Sequence, residues 1–410
     1  MKILFAIHQF FPKYYTGTER SVLNIVKQLM KMGHFVQIIT YGDDDLNALD
    51  QDKEDEGISI REYNHEDVSV AAVRDNSLNG DIAFGISEGL LEPFLSGFVI
   101  RGGFDVIHIA HPIKMGILAR IGKNLGIPVV ATLHDFWLLC PRVQLLKPDS
   151  ALCSGPKNGI ECIKDCYKGF SQEIMAERLI KTREFFDLCN VISSPSKFLI
   201  DMFHLNGWTR DIQHIRYGID YSSVGTRLNR KYTAASKLKI SYLGTILHHK
   251  GVHVLIKAIR KIKSNKISFD IWGGCFHEKS YYKHLTRLVW GDKRIKFKGE
   301  YDYASVYKIL KESDLIVVPS LWWENSPFTI LTSFAAGIPA IVSNIGGMAE
   351  LVKDGKTGFT FEVGSSESLA KVIEGILNDP TVLNDLKRNI SAPRIEEEVF
   401  YYERIYNALI

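Results

Sequence analysis

The chain has 410 residues, 46% of them hydrophobic and 24% charged, enough apolar material for two ordinary domains with a core each. The formal net charge of +3 is spread among balancing acids and forms no basic stripe, so nucleic acid is not expected as a partner. No run of about 18 apolar residues occurs and no basic-then-apolar leader precedes the first strand, so neither a spanning helix nor a signal peptide is expected and the reading places the protein in the cytoplasm.

The first half alternates: strand 2–7, helix 19–32, strand 35–40, then strand 106–110, helix 113–125 and strand 128–133. Such alternation implies a parallel, doubly wound sheet. Gly17, in the loop YYTGTE between the first strand and helix, lets backbone approach a phosphate, and Glu19 opens the helix. Residues 43–56 place Asp43 and Asp45 at the spacing of a metal-binding carboxylate pair, but so dense a charge run reads as a solvated turn. Residues 79–103 carry Leu90, Leu91, Phe94, Leu95 and Phe98, a patch too short to cross a bilayer. It reads as a packed helix, with peripheral contact to a membrane or a greasy acceptor as the other reading.

His134 and Asp135 form a polar pair at the carboxyl end of strand 128–133, where α/β sheets bind ligands. Four of the six cysteines follow closely: Cys140, Cys153, Cys162 and Cys166. Gly155, Pro156 and Gly159 make a loop able to fold round an ion, yet only Cys162 and Cys166 have a local ligand spacing. A structural zinc or iron site, reduced thiols and a disulfide all stand as readings. Cys189 and Cys275 read as ordinary buried thiols.

After strand 190–194 and helix 196–205, the turn Asn206–Gly207 is the expected domain boundary, giving domains 1–205 and 206–390. A second series of strands follows at 213–216, 239–243, 268–272, 295–298, 315–319, 340–342 and 359–361. Lys250, with Gly251 beside it, lies between strand 239–243 and helix 252–262, where a helix N-terminus and a cation can both reach a phosphate. His248 and His249 precede it. The apolar run 315–319 stops at Ser320, and the next helix starts near Ser326 with Pro327 in its first turn. Its apolar face runs through Phe328, Ile330, Leu331 and Phe334, and Gly337 and Pro339 end it. The amides of this turn suit an anionic leaving group. Glu324 just ahead of them is out of place beside a phosphate, but fits the hydroxyls of a sugar. Trp322 and Trp323 could stack on an acceptor or pack within the protein.

Taken together, these residues resemble the signature of the retaining nucleotide-sugar glycosyltransferases of glycosyltransferase family 4. Glu324, Pro327, Ala336, Gly337 and Pro339 fit it, and segments 10–40 and 242–259 match the same family in order, so the resemblance covers nearly the whole chain. Two positions depart: Thr332 stands where a second Glu is expected, and Thr245 follows Gly244 where an Arg is usual. The resemblance implies the GT-B architecture, two Rossmann-like domains facing a cleft, with a final helix within 391–410 crossing back onto the first domain. It implies a donor nucleoside-diphosphate sugar and a saccharide, glycolipid or small-metabolite acceptor, with no cofactor required. Glu324, His134 and Lys250 become the catalytic candidates. Gly17, Gly244, Thr245, Asn325, Ser326, Phe328 and Thr332 join Lys250 on the donor and diphosphate side, and Asp135, Trp322 and Trp323 are the acceptor-side candidates. A nucleotide-sugar epimerase or sugar phosphorylase on the same fold, or a catalytically silent nucleotide-sugar binder, are the other readings.

Overall fold

The computed structural model describes residues 1–42, 53–55, 58–75, 91–224, 230–275 and 278–410. Asp43, Asp45 and residues 79–90, Leu90 among them, lie outside the described residues. The chain divides into two compact units, Met1–Gly218 with Ile395–Ile410, and Ile219–Arg394.

The first unit runs β1 (Lys2–Ile7), α1 (Gly17–Lys31), β2 (Phe35–Tyr41), β3 (Lys53–Asp55), β4 (Ile58–His65), β5 (Val68–Asp75), α2 (Leu91–Gly102) and β6 (Val106–Ile109). It continues with α3 (Ile117–Leu125), β7 (Val129–Thr132), α4 (Gln172–Leu188), β8 (Val191–Ser194), α5 (Lys197–Leu205) and β9 (Gln213–His214). Its nine strands lie in the order β3-β4-β5-β2-β1-β6-β7-β8-β9. All pairings are parallel except at the edge, where β3, β4 and β5 are antiparallel. Ile3 to Ile7 are fully buried, as the central strand of a sheet covered on both faces requires. Strand order reverses between β1 and β6, so the loops leaving these two strands diverge and open a crevice at their carboxyl ends.

The second unit comprises α6 (Tyr221–Val224), β10 (Leu238–Leu243), α7 (Val252–Lys261), β11 (Ile267–Trp272), α8 (Lys279–Val289), β12 (Ile295–Gly299) and α9 (Val306–Lys311). β13 (Leu315–Val318), α10 (Phe328–Ala335), β14 (Ala340–Ser343), α11 (Gly346–Leu351), β15 (Gly358–Phe361), α12 (Ser366–Asn378) and α13 (Val382–Asn389) follow. Six parallel strands lie in the order β12-β11-β10-β13-β14-β15, and the reversal falls between β10 and β13. Val252, Leu255, Ile256 and Ile259 of α7 are fully buried in the core beside these strands, each contributing roughly 1.5–3 kcal/mol.

The last helix, α14 (Ile395–Leu409), belongs to the first unit and packs on α1 through Val399, Tyr402 and Tyr406. A buried polar network fixes it. His108 on β6 bonds Tyr406 through Nδ1 (2.5 Å) and Thr132 of β7 through Nε2 (2.8 Å), and Tyr402 reaches Thr132 and Ser193 of β8 at 3.0 and 3.1 Å. Burial pushes the His108 imidazole down to about 3, so it acts here as a neutral donor and acceptor.

Four sequence expectations change. The boundary at 205/206 falls inside the first unit, because β9, expected to open the second series, pairs with β8 and extends the first sheet. The edge strands β3 to β5 were not anticipated, although ISIREY and VSVAAV carry a two-residue alternation. Gly17 is the first residue of α1, not part of a loop, and the helix expected from 113 starts at Ile117 after a turn. α2 is packed through Leu91, Leu95, Phe98 and Val99. Among the described residues no helix is long and apolar enough to cross a membrane.

Candidate functional site

In the second unit the reversal of strand order sets the loop after β10 beside the loop after β13. The first carries Gly244, Thr245, His249 and Lys250; the second carries Ser320, Trp322, Trp323, Glu324, Asn325 and Ser326. Their junction is backbone to backbone. Leu321 N–H donates to the His249 carbonyl (2.7 Å), and Gly251, at φ +72°, lies so near β13 that an added Cβ would meet the Pro319 carbonyl oxygen at 1.9 Å. Only glycine permits that approach. It brings Lys250, one residue before the N-cap of α7, to Glu324, with Nζ 2.6 Å from Oε1.

The same oxygen accepts from Ser320 Oγ (2.8 Å) and from Trp322 Nε1 (2.9 Å), while the Lys250 ammonium stands 5.0 Å from the centroid of the Trp322 ring. All three bonds land on Oε1, and Oε2 receives none from a described side chain. Glu324 is only 8% exposed. Burial alone would raise its carboxyl, but the Lys250 charge and the three hydrogen bonds outweigh it and hold it below the ordinary value. His249 goes the other way: burial, then the Lys250 charge, push it down to about 4, so it is neutral at pH 7.

A third loop supports the pair. Gly347 N–H donates to the Glu324 carbonyl (2.8 Å), and a Cβ on Gly347 would strike the Asn325 carbonyl oxygen at 1.4 Å. Ser326 is buried, Asn325 and Phe328 are half-buried, and Phe328 opens α10 behind the N-cap residue Pro327. Thr332 is 4% exposed on that helix. Thr245 is half-buried, and its carbonyl accepts from Tyr242 Oη (2.8 Å). Trp322, expected on the acceptor side, is thus engaged with Glu324 and Lys250, and Trp323 is half-buried in the same loop.

In the first unit the loops leaving β1, β6 and β7 gather a set of imidazoles. The His8 and His111 rings lie 4.0 Å apart, and His111 Nε2 donates to Asp135 Oδ2 at 3.0 Å while its Nδ1 accepts from Ile113 N–H. Asp135 Oδ1 accepts from Trp137 N–H (2.8 Å), so the carboxylate is committed within the cluster. His134 Nδ1 shares a hydrogen bond with the Tyr217 hydroxyl, and the two rings stack. Burial, then the neighbouring His111, push His134 down to about 3, and burial holds the Tyr217 phenol well above its ordinary value. Both are neutral at pH 7. His8 is also held well below its usual value, by burial and then by His111, and its Nδ1 has no partner among the described residues. Nearby, Glu19 is fully buried and accepts from Gln9 Nε2 (2.8 Å) and Thr16 Oγ1 (2.6 Å), tying the β1 loop to the start of α1 beside the exposed Gly17.

The sequence did not single out Ser320, Gly347, His8, His111 or Tyr217. His8 and His111 each stand at the carboxyl end of a strand flanking the point where strand order reverses, a readable position once that order is known. Tyr217 has no local signal, since only the fold brings it to His134.

Cys140, Cys153, Cys162 and Cys166 line one small pocket, with Leu139 and Leu146 in its wall. None of the six cysteines is in a disulfide among the described residues. Among the described residues no three His, Cys, Asp or Glu side chains have the spacing of a metal cage.

Comparison with known proteins agrees with this division of the chain. Residues 15–223, over half of the chain, match the model of Glycosyltransferase Family 4, and residues 227–392 match that of Glycosyl transferases group 1. An uncharacterized glycosyltransferase of Methanocaldococcus jannaschii is 22% identical over 400 residues, covering 95% of this chain and 93% of that protein. Among solved structures, Anabaena HepE in complex with UDP superposes with a TM-score of 0.70 at 17% identity, covering 100% of both chains. The catalytic domain of Arabidopsis thaliana starch synthase IV bound to ADP and acarbose gives 0.70 at 16% identity, covering 100% of this chain and 99% of that one. The chain therefore belongs to Glycosyltransferase Family 4, and it has the GT-B fold.

Proposed function

We propose that this glycosyltransferase moves a sugar from a nucleoside-diphosphate donor to a hydroxyl of a saccharide, glycolipid or small metabolite, with retention at the anomeric carbon. The observation that carries the reading is the Lys250–Glu324 pair, in which one carboxylate oxygen is saturated and the other left open. The Lys250 ammonium and the amides opening α7 supply the positive charge that a diphosphate leaving group needs, without a divalent cation. Glu324 Oε2 is the acceptor for donor-sugar hydroxyls, and Oε1 is held by its three donors so that Oε2 points one way. Gly244, Thr245, Asn325, Ser326, Phe328 and Thr332 complete the donor side in this reading, and UDP in HepE and ADP in the starch synthase are consistent with such a donor.

His134 and Asp135 are assigned to the sugar and its acceptor. A protonated Tyr217 phenol donating to Nδ1 leaves the His134 proton on Nε2, as a donor to a sugar oxygen. No strong general base is then required, since the departing phosphate can take the acceptor's proton. The reading places the enzyme in the cytoplasm, with peripheral membrane contact if the acceptor is a glycolipid. Incubating the protein with a panel of nucleotide sugars tests it. Slow release of free sugar and nucleoside diphosphate, undiminished by a chelator and with the donor's anomeric configuration in the first-formed sugar by proton NMR, is expected. A changed but uncleaved donor indicates an epimerase, and an untouched, retained donor indicates a silent binder; either outcome overturns the reading.

A further inference from the structure

The 39 residues of 133–171 would be an unusual way to join a strand to a helix, since this segment from β7 to α4 holds only the bridge Leu146↔Leu152 and one π turn, Cys162–Cys166. Long connections of this kind are functional or need cross-linking. Yet Phe136, Trp137, Leu138, Leu139 and Leu145 in it are at most 2% exposed. It also holds five non-glycine residues in the left-handed region, Val143, Leu145, Ser150, Lys157 and Asn158. Conformations of that kind persist only where the surroundings over-determine them.

We propose that Cys140, Cys153, Cys162 and Cys166 are the ligands of a thiolate-bound metal centre that fastens this segment. The four residues come from three parts of the segment and line the same pocket. One of the sulfurs is already served by an amide: Gly155 N–H donates to Cys153 Sγ at 3.4 Å. Bonds of this kind orient and stabilise ligating thiolates.

The charge balance points the same way. Among the described residues Arg178, 4% exposed, bonds the carbonyls of Trp137 and Leu138 and lies over the Trp137 ring, its Nε has no hydrogen-bond partner, and no carboxylate pairs with it. A buried guanidinium without an anion is costly. Cys140 and Cys162 are within electrostatic reach of it. Four thiolates around a divalent ion carry a net charge of about −2, and each thiol releases one proton as its sulfur binds. In the structure the four sulfurs do not stand at the spacing of a cage, so the proposal requires the half-exposed Cys153 and Cys166 to be drawn toward the buried Cys140 and Cys162 when the ion binds. A soft, all-sulfur set selects zinc or an iron–sulfur cluster over hard cations.

The inference does not rest on the glycosyl-transfer reading. Elemental analysis of the full chain, purified under reducing conditions, is expected to give about one zinc per chain, or iron with acid-labile sulfide. The metal should be lost from Cys162→Ser and Cys166→Ser. To keep the test independent of whether those variants fold, the native chain is also alkylated and mapped by mass spectrometry. Cys153 and Cys166 should resist alkylation until a chelator is added, while the half-exposed Cys275 reacts at once. Metal-free protein whose Cys153 and Cys166 alkylate immediately, or an intact mass showing disulfides among the four, overturns the proposal, as does metal retained in both serine variants.

Discussion

The Glu324 cluster of the second unit and the His134 cluster of the first are built at equivalent places, the carboxyl ends of strands where strand order reverses, but on opposite electrostatic principles. Around Glu324 a full ion pair is held in a nearly dry pocket, and the carboxylate stays charged because Lys250, Ser320 and Trp322 replace the water it has lost. Around His134 burial suppresses imidazolium and phenolate alike, and the bond between His134 and Tyr217 joins uncharged partners. Burial also raises the neighbouring Asp135 carboxyl, but His111 and the Trp137 amide outweigh it and hold it below its ordinary value, so that charge is spent within the cluster. A charged site is suited to a charged leaving group, a neutral one to sugar hydroxyls. If that contrast is right, substitutions in the second unit should cost far more turnover than those in the first.

The largest effect is expected from Glu324→Gln, which keeps the shape but removes the charge opposite Lys250. Donor hydrolysis should fall about a thousandfold or more, the upper end for one preorganised contact, with the fold retained by circular dichroism. An unchanged rate would remove Glu324 from the site. Lys250→Ala should follow, with turnover lower by at least about a hundredfold. Near-normal activity there would show that the diphosphate is held elsewhere.

Thr332 offers the next test. A carboxylate bonding both ribose hydroxyls contributes roughly 1.5–3 kcal/mol, ten- to a hundredfold in affinity, over a short neutral oxygen. Titrating uridine, guanosine and thymidine diphosphates should therefore show tighter ribonucleotide binding by Thr332→Glu than by the native protein. No gain for any ribonucleotide means that residue 332 does not face the ribose. Tyr217→Phe sharpens the other half of the comparison. Losing one neutral hydrogen bond to His134 should lower turnover about five- to tenfold. It should also leave the imidazole tautomer mixed in nitrogen NMR, a signature that simple loss of packing would not produce.

How much of this was legible follows from how far each feature reaches along the chain. Leu315–Val318 announced itself as a buried strand, and Glu324, Pro327 and Gly337 followed it within one βαβ unit, so the second site could be located without the fold. That Lys250 pairs with Glu324 could not, because 74 residues separate them and the contact depends on strand order. The His134 cluster was harder still. His8, His111 and Tyr217 come from three segments, none with a local motif, and Tyr217 lies beyond the expected domain boundary. That boundary was misplaced because Asn206–Gly207 has the composition of a linker, whereas β9 gains its partner only from β8. Glu398 was invisible for a similar reason: in a helix rich in acids nothing marks it as the one facing Gly218.

Glu398 gives the prediction with the smallest expected effect on turnover, and it extends the contrast from activity to stability. Its carboxyl is 2% exposed, Oε2 accepts from Gly218 N–H at 2.7 Å and Oε1 has no partner among the described residues, so burial pushes it up to about 8 against the single opposing amide bond. Unlike Glu324 it pairs with no cation among the described residues, and in the folded chain it is protonated at pH 7. The unfolded carboxyl ionises near its ordinary 4.5. Between these values the unfolded state binds fewer protons than the folded one, so the stability contributed by the neutral acid is fully present below pH 4.5 and is lost as pH rises toward 8. At about 1.4 kcal/mol for each pH unit the loss is at most about 5 kcal/mol. Glu398→Gln keeps the acceptor for Gly218 and removes the titration. Denaturant midpoints of the two proteins should agree near pH 5 and separate toward pH 8, with the variant the more stable. The buried histidines titrate in both proteins and cancel in the difference. Parallel curves would mean that Glu398 is ionised in the fold, and the neutral character assigned to the first unit would not extend to its last helix.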